Sequence, residues 1–105
     1  MLEFKRIRQQ NFYVAQIDNH TILKSYNTIV GIITNNDYKL YSVKYSRTTS
    51  KQVSQLANGK NIKDRYLVND KQLHDIILHY TNLDVDTRYN RAWILSNIYR
   101  TFFQP

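Results

Sequence analysis

The chain has 105 residues, with 15 Lys and Arg against 8 Asp and Glu, for a formal charge of +7. It contains no cysteine, which excludes disulfides, thiolate metal sites and a cysteine nucleophile. Its only glycines, Gly31 and Gly59, are too few to build a phosphate-cradling or dinucleotide-binding loop, and its longest apolar run, Ile29 to Ile33, is too short to cross a membrane.

This length predicts a single domain over residues 1–105, with one core. No apolar stretch of a secretory leader follows Met1 to Arg6, so the expected location is the cytoplasm of the host cell. The N-terminal half reads as strands. Leu2 and Phe4 alternate with charged neighbours as far as Arg8, and Phe12 to Ile17 is a short β-favouring run ended by Asp18-Asn19-His20. Tyr26 to Thr34 is rich in β-branched residues, and Tyr38 to Tyr45 follows as its partner. Between these two lies Asn35-Asn36-Asp37, residue types that tolerate left-handed backbone, which predicts a hairpin.

After Ser46 the pattern changes. Thr48-Thr49-Ser50 offers N-caps, Val53, Leu56 and Ala57 fall at helical spacing, and Gly59 suits the residue beyond a helix end, so a helix is expected near 49–58. Ile62 to Val68 reads as a short strand. Asn69-Asp70 caps a second helix whose Leu73, Ile76, Ile77 and Tyr80 form one apolar stripe. Asp84 or Asp86 is expected to cap a third helix over about 87–102. Ala92, Leu95, Tyr99 and Phe102 would line one face of it, with Trp93, Leu95 and Ile98 buried. Strands first and helices after predict an α+β domain: an antiparallel sheet from the N-terminal half, packed against two or three C-terminal helices on one side.

The charge is uneven. Residues 1–60 hold nine bases and three acids, residues 61–105 six bases and five acids. Lys5, Arg6 and Arg8 form one basic cluster; Lys44, Arg47 and Lys51 form another. The second sits in Tyr45-Ser46-Arg47-Thr48-Thr49-Ser50-Lys51, where a strand gives way to a helix. Free N–H groups at a helix start attract anions, and hydroxyls, Arg and Lys all suit phosphate oxygens. Ordinary capping accounts for the hydroxyls alone. It does not account for the cations, which the helix macrodipole disfavours there.

Ser25-Tyr26-Asn27-Thr28-Ile29-Val30, followed by Tyr45-Ser46-Arg47-Thr48-Thr49-Ser50-Lys51, resembles a pattern of small uncharacterised phage and mobile-element proteins. The resemblance spans about residues 25–58. It implies an origin of that kind and no particular activity.

Catalytic patterns are lacking. His20, His74 and His79 are the only histidines. His74 and His79, five residues apart, stand about 140° apart around a helix, so they do not form a paired metal site. Asp75 and His79 are spaced to hydrogen-bond along one face. No nucleophile-elbow, zinc-protease or calcium-loop motif is present, and no catalytic residue, metal or cofactor is expected. Two functions fit. One is a non-enzymatic accessory protein binding DNA or RNA, or a host nucleoprotein, through Lys5, Arg6, Arg8 and residues 44–51, with Tyr38, Tyr41 or Tyr45 stacking on bases. The other is a phage-encoded inhibitor of a host enzyme or defence system. No membrane partner is expected.

Overall fold

A computed structural model of the chain describes residues 2–7, 10–34, 37–44, 46–60 and 62–90. The expected burial of Trp93, Leu95 and Ile98 falls outside these residues, as does the third helix beyond Asn90.

Six strands form one sheet in sequence order: β1 (Lys5–Arg6), β2 (Phe12–Ile17), β3 (His20–Ser25), β4 (Thr28–Thr34), β5 (Lys39–Ser42) and β6 (Asp64–Leu67). The first five pair antiparallel; β6 joins β5 in parallel. A parallel neighbour cannot be reached by a tight turn, and helix α1 (Arg47–Asn58) supplies the crossover. Helix α2 (Asp70–Thr81) follows β6. The arrangement is α+β, a mostly antiparallel sheet with the helices C-terminal to its first five strands.

Strand β3 occupies residues for which alternation predicts no strand. Its Ile22 and Leu23 are adjacent and both fully buried, because the strand is interior and covered on both faces. It is joined to β2 by a two-residue turn in which Asp18 and Asn19 both take positive φ, 46° and 67°, the backbone that tight hairpins favour. The next hairpin turns on Tyr26-Asn27, with Tyr26 at φ 54° and Ser25 opposite Thr28. Tyr26 therefore belongs to a turn, and β4 starts only at Thr28. Between β4 and β5 the pairing of Thr34 with Lys39 and a bond from Asp37 N to Thr34 O at 3.1 Å bear out the predicted hairpin. Its left-handed residue among those described is Tyr38, at φ 54°; Asn35 and Asn36 lie outside them.

Register sorts the side chains. Thr21, Leu23 and Ser25 share a face with Phe12, Val14 and Leu40; His20 and Ile22 share the other with Tyr41 and Ile32. In β4 an extra residue, Val30, fits between the pairs Leu23–Gly31 and Lys24–Ile29, a bulge that keeps both ends of the strand in phase. The helices do not lie on one side as expected. On the first face, Gln52 of α1 meets Ser25 at 2.9 Å, and Ser54 accepts from Arg65, the partner of Leu40, at 3.3 Å. On the second, the Tyr80 ring of α2 lies 5.3 Å from His20 and 6.4 Å from Tyr41. Crossover through α1 dictates this: one helix spans the sheet on one face, and the next covers the other. Phe12, Ile22, Leu23, Ile32, Ile33, Leu40, Leu73 and Ile77 are fully buried as a result.

The helix ends are well specified. Asn69 caps α2 in a reciprocal box: its side chain accepts from Gln72 N at 2.8 Å, and the Gln72 side chain accepts from Asn69 N at 2.9 Å. Asn82 closes α2 in the left-handed conformation. Gly59 is the residue beyond the end of α1, as expected, and holds φ −82°, in ordinary helical space. Thr87, and neither Asp84 nor Asp86, caps the turn at 88–90, accepting from Asn90 N at 3.2 Å. Asp84 instead meets His74 Nε2 at 2.6 Å and fastens the segment after α2 back onto that helix.

Candidate functional site

The start of α1 is built by Ser46, whose backbone is still extended (φ −160°, ψ 170°). Its Oγ accepts from Thr49 N at 3.2 Å and its hydroxyl donates to Thr49 Oγ1 at 3.2 Å. These two hydroxyls therefore serve the helix itself, and Thr49 is buried. Thr48 is exposed and Ser50 half-buried. The first turn contains no acid. Arg47 and Lys51, one helical turn apart, are both exposed and form no ion pair among the described residues. Lys44 is exposed just upstream; Tyr45 lies outside the described residues.

The two predicted basic clusters are not neighbours in the sheet. Lys5 and Arg6 form the edge strand β1, four strand spacings or about 19 Å from β5. Arg6 is engaged: its Nε donates to the Gln10 carbonyl at 2.9 Å. Arg8 lies outside the described residues. What remains contiguous is the helical surface. Residues 43–60 carry Lys44, Arg47, Lys51 and Lys60 with no acid, whereas residues 70–90 carry four acids, Asp70, Asp75, Asp84 and Asp86, against Lys71 and Arg88. Helices α1 and α2 lie on opposite faces, so the sheet separates these two segments, and the α2 face also carries Lys24 and Lys39.

Two of the tyrosines expected to stack on bases, Tyr38 and Tyr41, are already occupied. Tyr41 stacks on Tyr66 with centroids 5.0 Å apart and planes within 17°, and Tyr38 has the Lys63 ammonium 5.6 Å over its ring. Burial, above all, raises the Tyr41 phenol above its ordinary value of 10.0, aided by a hydrogen bond with Tyr80 and by the nearby charges of Tyr80, Tyr66 and Asp37. Of the histidine contacts, the carboxylate partner falls to His74, and His79 instead packs edge-on against Tyr80 at 5.2 Å. Among the described residues no group of three His, Cys, Asp or Glu converges on a metal position, and no helix is long and apolar enough to cross a membrane.

Sequence patterning does not reveal a cleft between α1 and the β1–β2 connection. It encloses about 240 Å³ and is lined by Ile7, Gln10, Phe12, Gln52, Gln55, Leu56, Gly59 and Lys60. Its residues come from two elements 40 positions apart, so no local spacing betrays it. The spacing of Arg47, Lys51 and Gln55, which places all three on one exposed stripe of α1, is legible.

The two halves of the phage-like pattern acquire structural roles. Ser25 to Thr28 is the tip of the β3–β4 hairpin, and Ser46 to Ser50 is the start of α1. The Ser25–Gln52 hydrogen bond ties the first to the helix begun by the second.

The chain belongs to a family of unknown function, DUF8033, whose model matches residues 3–73, from just before β1 into the first turn of α2. No curated protein and no solved structure matches the chain.

Proposed function

We propose that this domain is a non-enzymatic accessory protein that binds nucleic acid through the exposed face of α1. The observation that carries the reading is the run of four cations without an acid over residues 43–60. Lys44, Arg47, Lys51 and Lys60 would meet phosphates, and Thr48 would add a hydroxyl. The resemblance to phage and mobile-element proteins fits an accessory role of this kind.

Contacts of this sort neutralise phosphate without reading base sequence. Four phosphate contacts give a slope near −3.6 in log K against log salt on duplex DNA, a loss of about 150-fold between 50 and 200 mM. The test is fluorescence anisotropy with labelled DNA and RNA across that range. In Arg47→Ala/Lys51→Ala the slope becomes shallower by about 1.8. A titration flat at every salt concentration refutes nucleic-acid binding and leaves the basic face to an acidic protein surface, the mode of a host-directed inhibitor.

A further inference from the structure

The cleft beside α1 has an unusual lining. Its apolar residues are Ile7, Phe12 and Leu56, and its polar ones are three carboxamides, Gln10, Gln52 and Gln55, with Lys60. Gln52 is only 7% exposed, and its side chain accepts a hydrogen bond from the Ser25 hydroxyl. Whichever way that amide is turned, Ser25 occupies one end. Gln52 is also part of the cleft wall. Gln10 and Gln55 barely touch across the opening, at 3.5 Å, so both retain donors and acceptors for a guest.

We propose that this cleft binds an unpaired nucleobase carrying a phosphate. The proposal rests on the nucleic-acid reading above and deepens it. A base is flat and apolar on its faces and presents both donors and acceptors at its edge. Carboxamides match such an edge, since each offers both at once, as Gln does to adenine. The volume lies below the roughly 300–1,000 Å³ of sites for drug-sized molecules, which restricts the guest to a group of about one base. No acid is among the described residues that line the cleft, and Lys60 stands in its wall to meet a phosphate. The stripe Arg47, Lys51, Gln55 runs about 12 Å along α1 and ends at the cleft, so cations bound to a strand's backbone would lead its next base toward Gln55 and Gln52. A base held in a duplex cannot enter; an unstacked one can.

The experiment compares four probes on the full chain: a 12-mer single-stranded DNA, the same sequence as RNA, its duplex, and adenosine monophosphate. Each is titrated into the wild type, Gln52→Met and Gln55→Met, with thermal melts as a folding control. Gln55 is exposed, so its variant remains informative if Gln52→Met disturbs the Ser25 contact. The expected result is three- to tenfold weaker single-strand binding in each variant, with duplex affinity unchanged. Adenosine monophosphate binding, weakened by the same variants in the absence of any polymer binding, supports the cleft as a site for a free nucleotide and overturns the strand reading. Equal loss on single strand and duplex, or no loss in either variant, overturns the cleft while leaving phosphate binding on α1 intact. No binding of any probe overturns both.

Discussion

The two glycines provide a matched pair of substitutions with opposite expected signs. Gly31 sits in the central strand β4 opposite Ser42. A Cβ there would lie 2.9 Å from the Tyr41 carbonyl oxygen and 3.3 Å from both Leu23 Cδ1 and Ser42 Cβ. The carbonyl contact is about 0.5 Å short of ordinary van der Waals distance. Leu23 can rotate, but the Tyr41 carbonyl cannot retreat without pulling β5 from the ladder that pairs Ile32 with Tyr41. Overpacking of this kind costs about 1–3 kcal/mol. Alanine also restricts the unfolded chain, which returns about 0.4–1 kcal/mol wherever the native backbone accepts it. At Gly59 nothing opposes that gain: φ is −82° and the nearest atom to a new Cβ is Leu56 O at 3.6 Å. Gly59→Ala is therefore expected to stabilise by about 0.4–1 kcal/mol, and Gly31→Ala to destabilise by about 0.5–2 kcal/mol net. Urea denaturation followed by circular dichroism measures both, and melting temperatures should move by about 4–8 °C per kcal/mol in a domain this small. The unfolded-state contribution is common to the two variants, so their difference isolates native strain in β4. If Gly31→Ala matched or exceeded the wild type, the close approach of β5 to Gly31 would be refuted.

Asn69→Ala removes the reciprocal cap of α2 and should cost about 1 kcal/mol, read as a lower denaturation midpoint with an unchanged slope; an unaltered midpoint would mean the box contributes nothing. Arg47→Ala/Lys51→Ala should leave stability level or slightly raised, because both cations oppose the helix dipole, while weakening nucleic-acid binding; a loss of stability with binding intact would make this segment structural. The Tyr41 phenol holds its proton more tightly in the folded state than in the unfolded chain, so its contribution to stability is complete below pH 10 and declines as pH rises through the raised folded value. Absorbance at high pH should show one late-ionising phenol that Tyr41→Phe abolishes, together with that part of the alkaline decline; an unchanged titration in the variant would assign the late phenol elsewhere.

How far the sequence discloses this fold depends on how each element is buried. Helix α2 is legible because one face packs and the other is wet: Leu73 and Ile77 are fully buried at helical spacing while Lys71, Gln72 and Asp75 are exposed. Strand β2 is legible for its β-favouring composition. Strand β3 is not, since burial on both faces erases the alternation, and Lys24 in its midst reads as solvent-facing. Lys24 in fact lies 4.4 Å over the Phe4 ring and 4.9 Å over that of Tyr13. The start of α1 is legible only to within a turn: Thr48, Thr49 and Ser50 are the caps expected near 49, but Ser46 takes that role and the helix begins at Arg47. The cleft is not, because it forms only when the loop after β1 meets a helix that follows four further strands.

One topological choice links these features. Placing β6 parallel to β5 requires a crossing segment, and α1 is that segment. Once α1 has crossed one face, α2 covers the core left open on the other, where Tyr80 reaches His20 and Tyr41. Had β6 followed β5 through a hairpin, both helices would follow the sheet and could share a side, mixing the Lys and Arg of residues 43–60 with the Asp of residues 70–90. Their fields would then largely cancel within a Debye length of about 8–10 Å. With the sheet between them the two sets of charges stay apart, and α1 begins without an acid in its first turn. On the reading proposed above, an anion docking there would meet Arg47 and Lys51 together, with α2 and its carboxylates on the far side of the sheet.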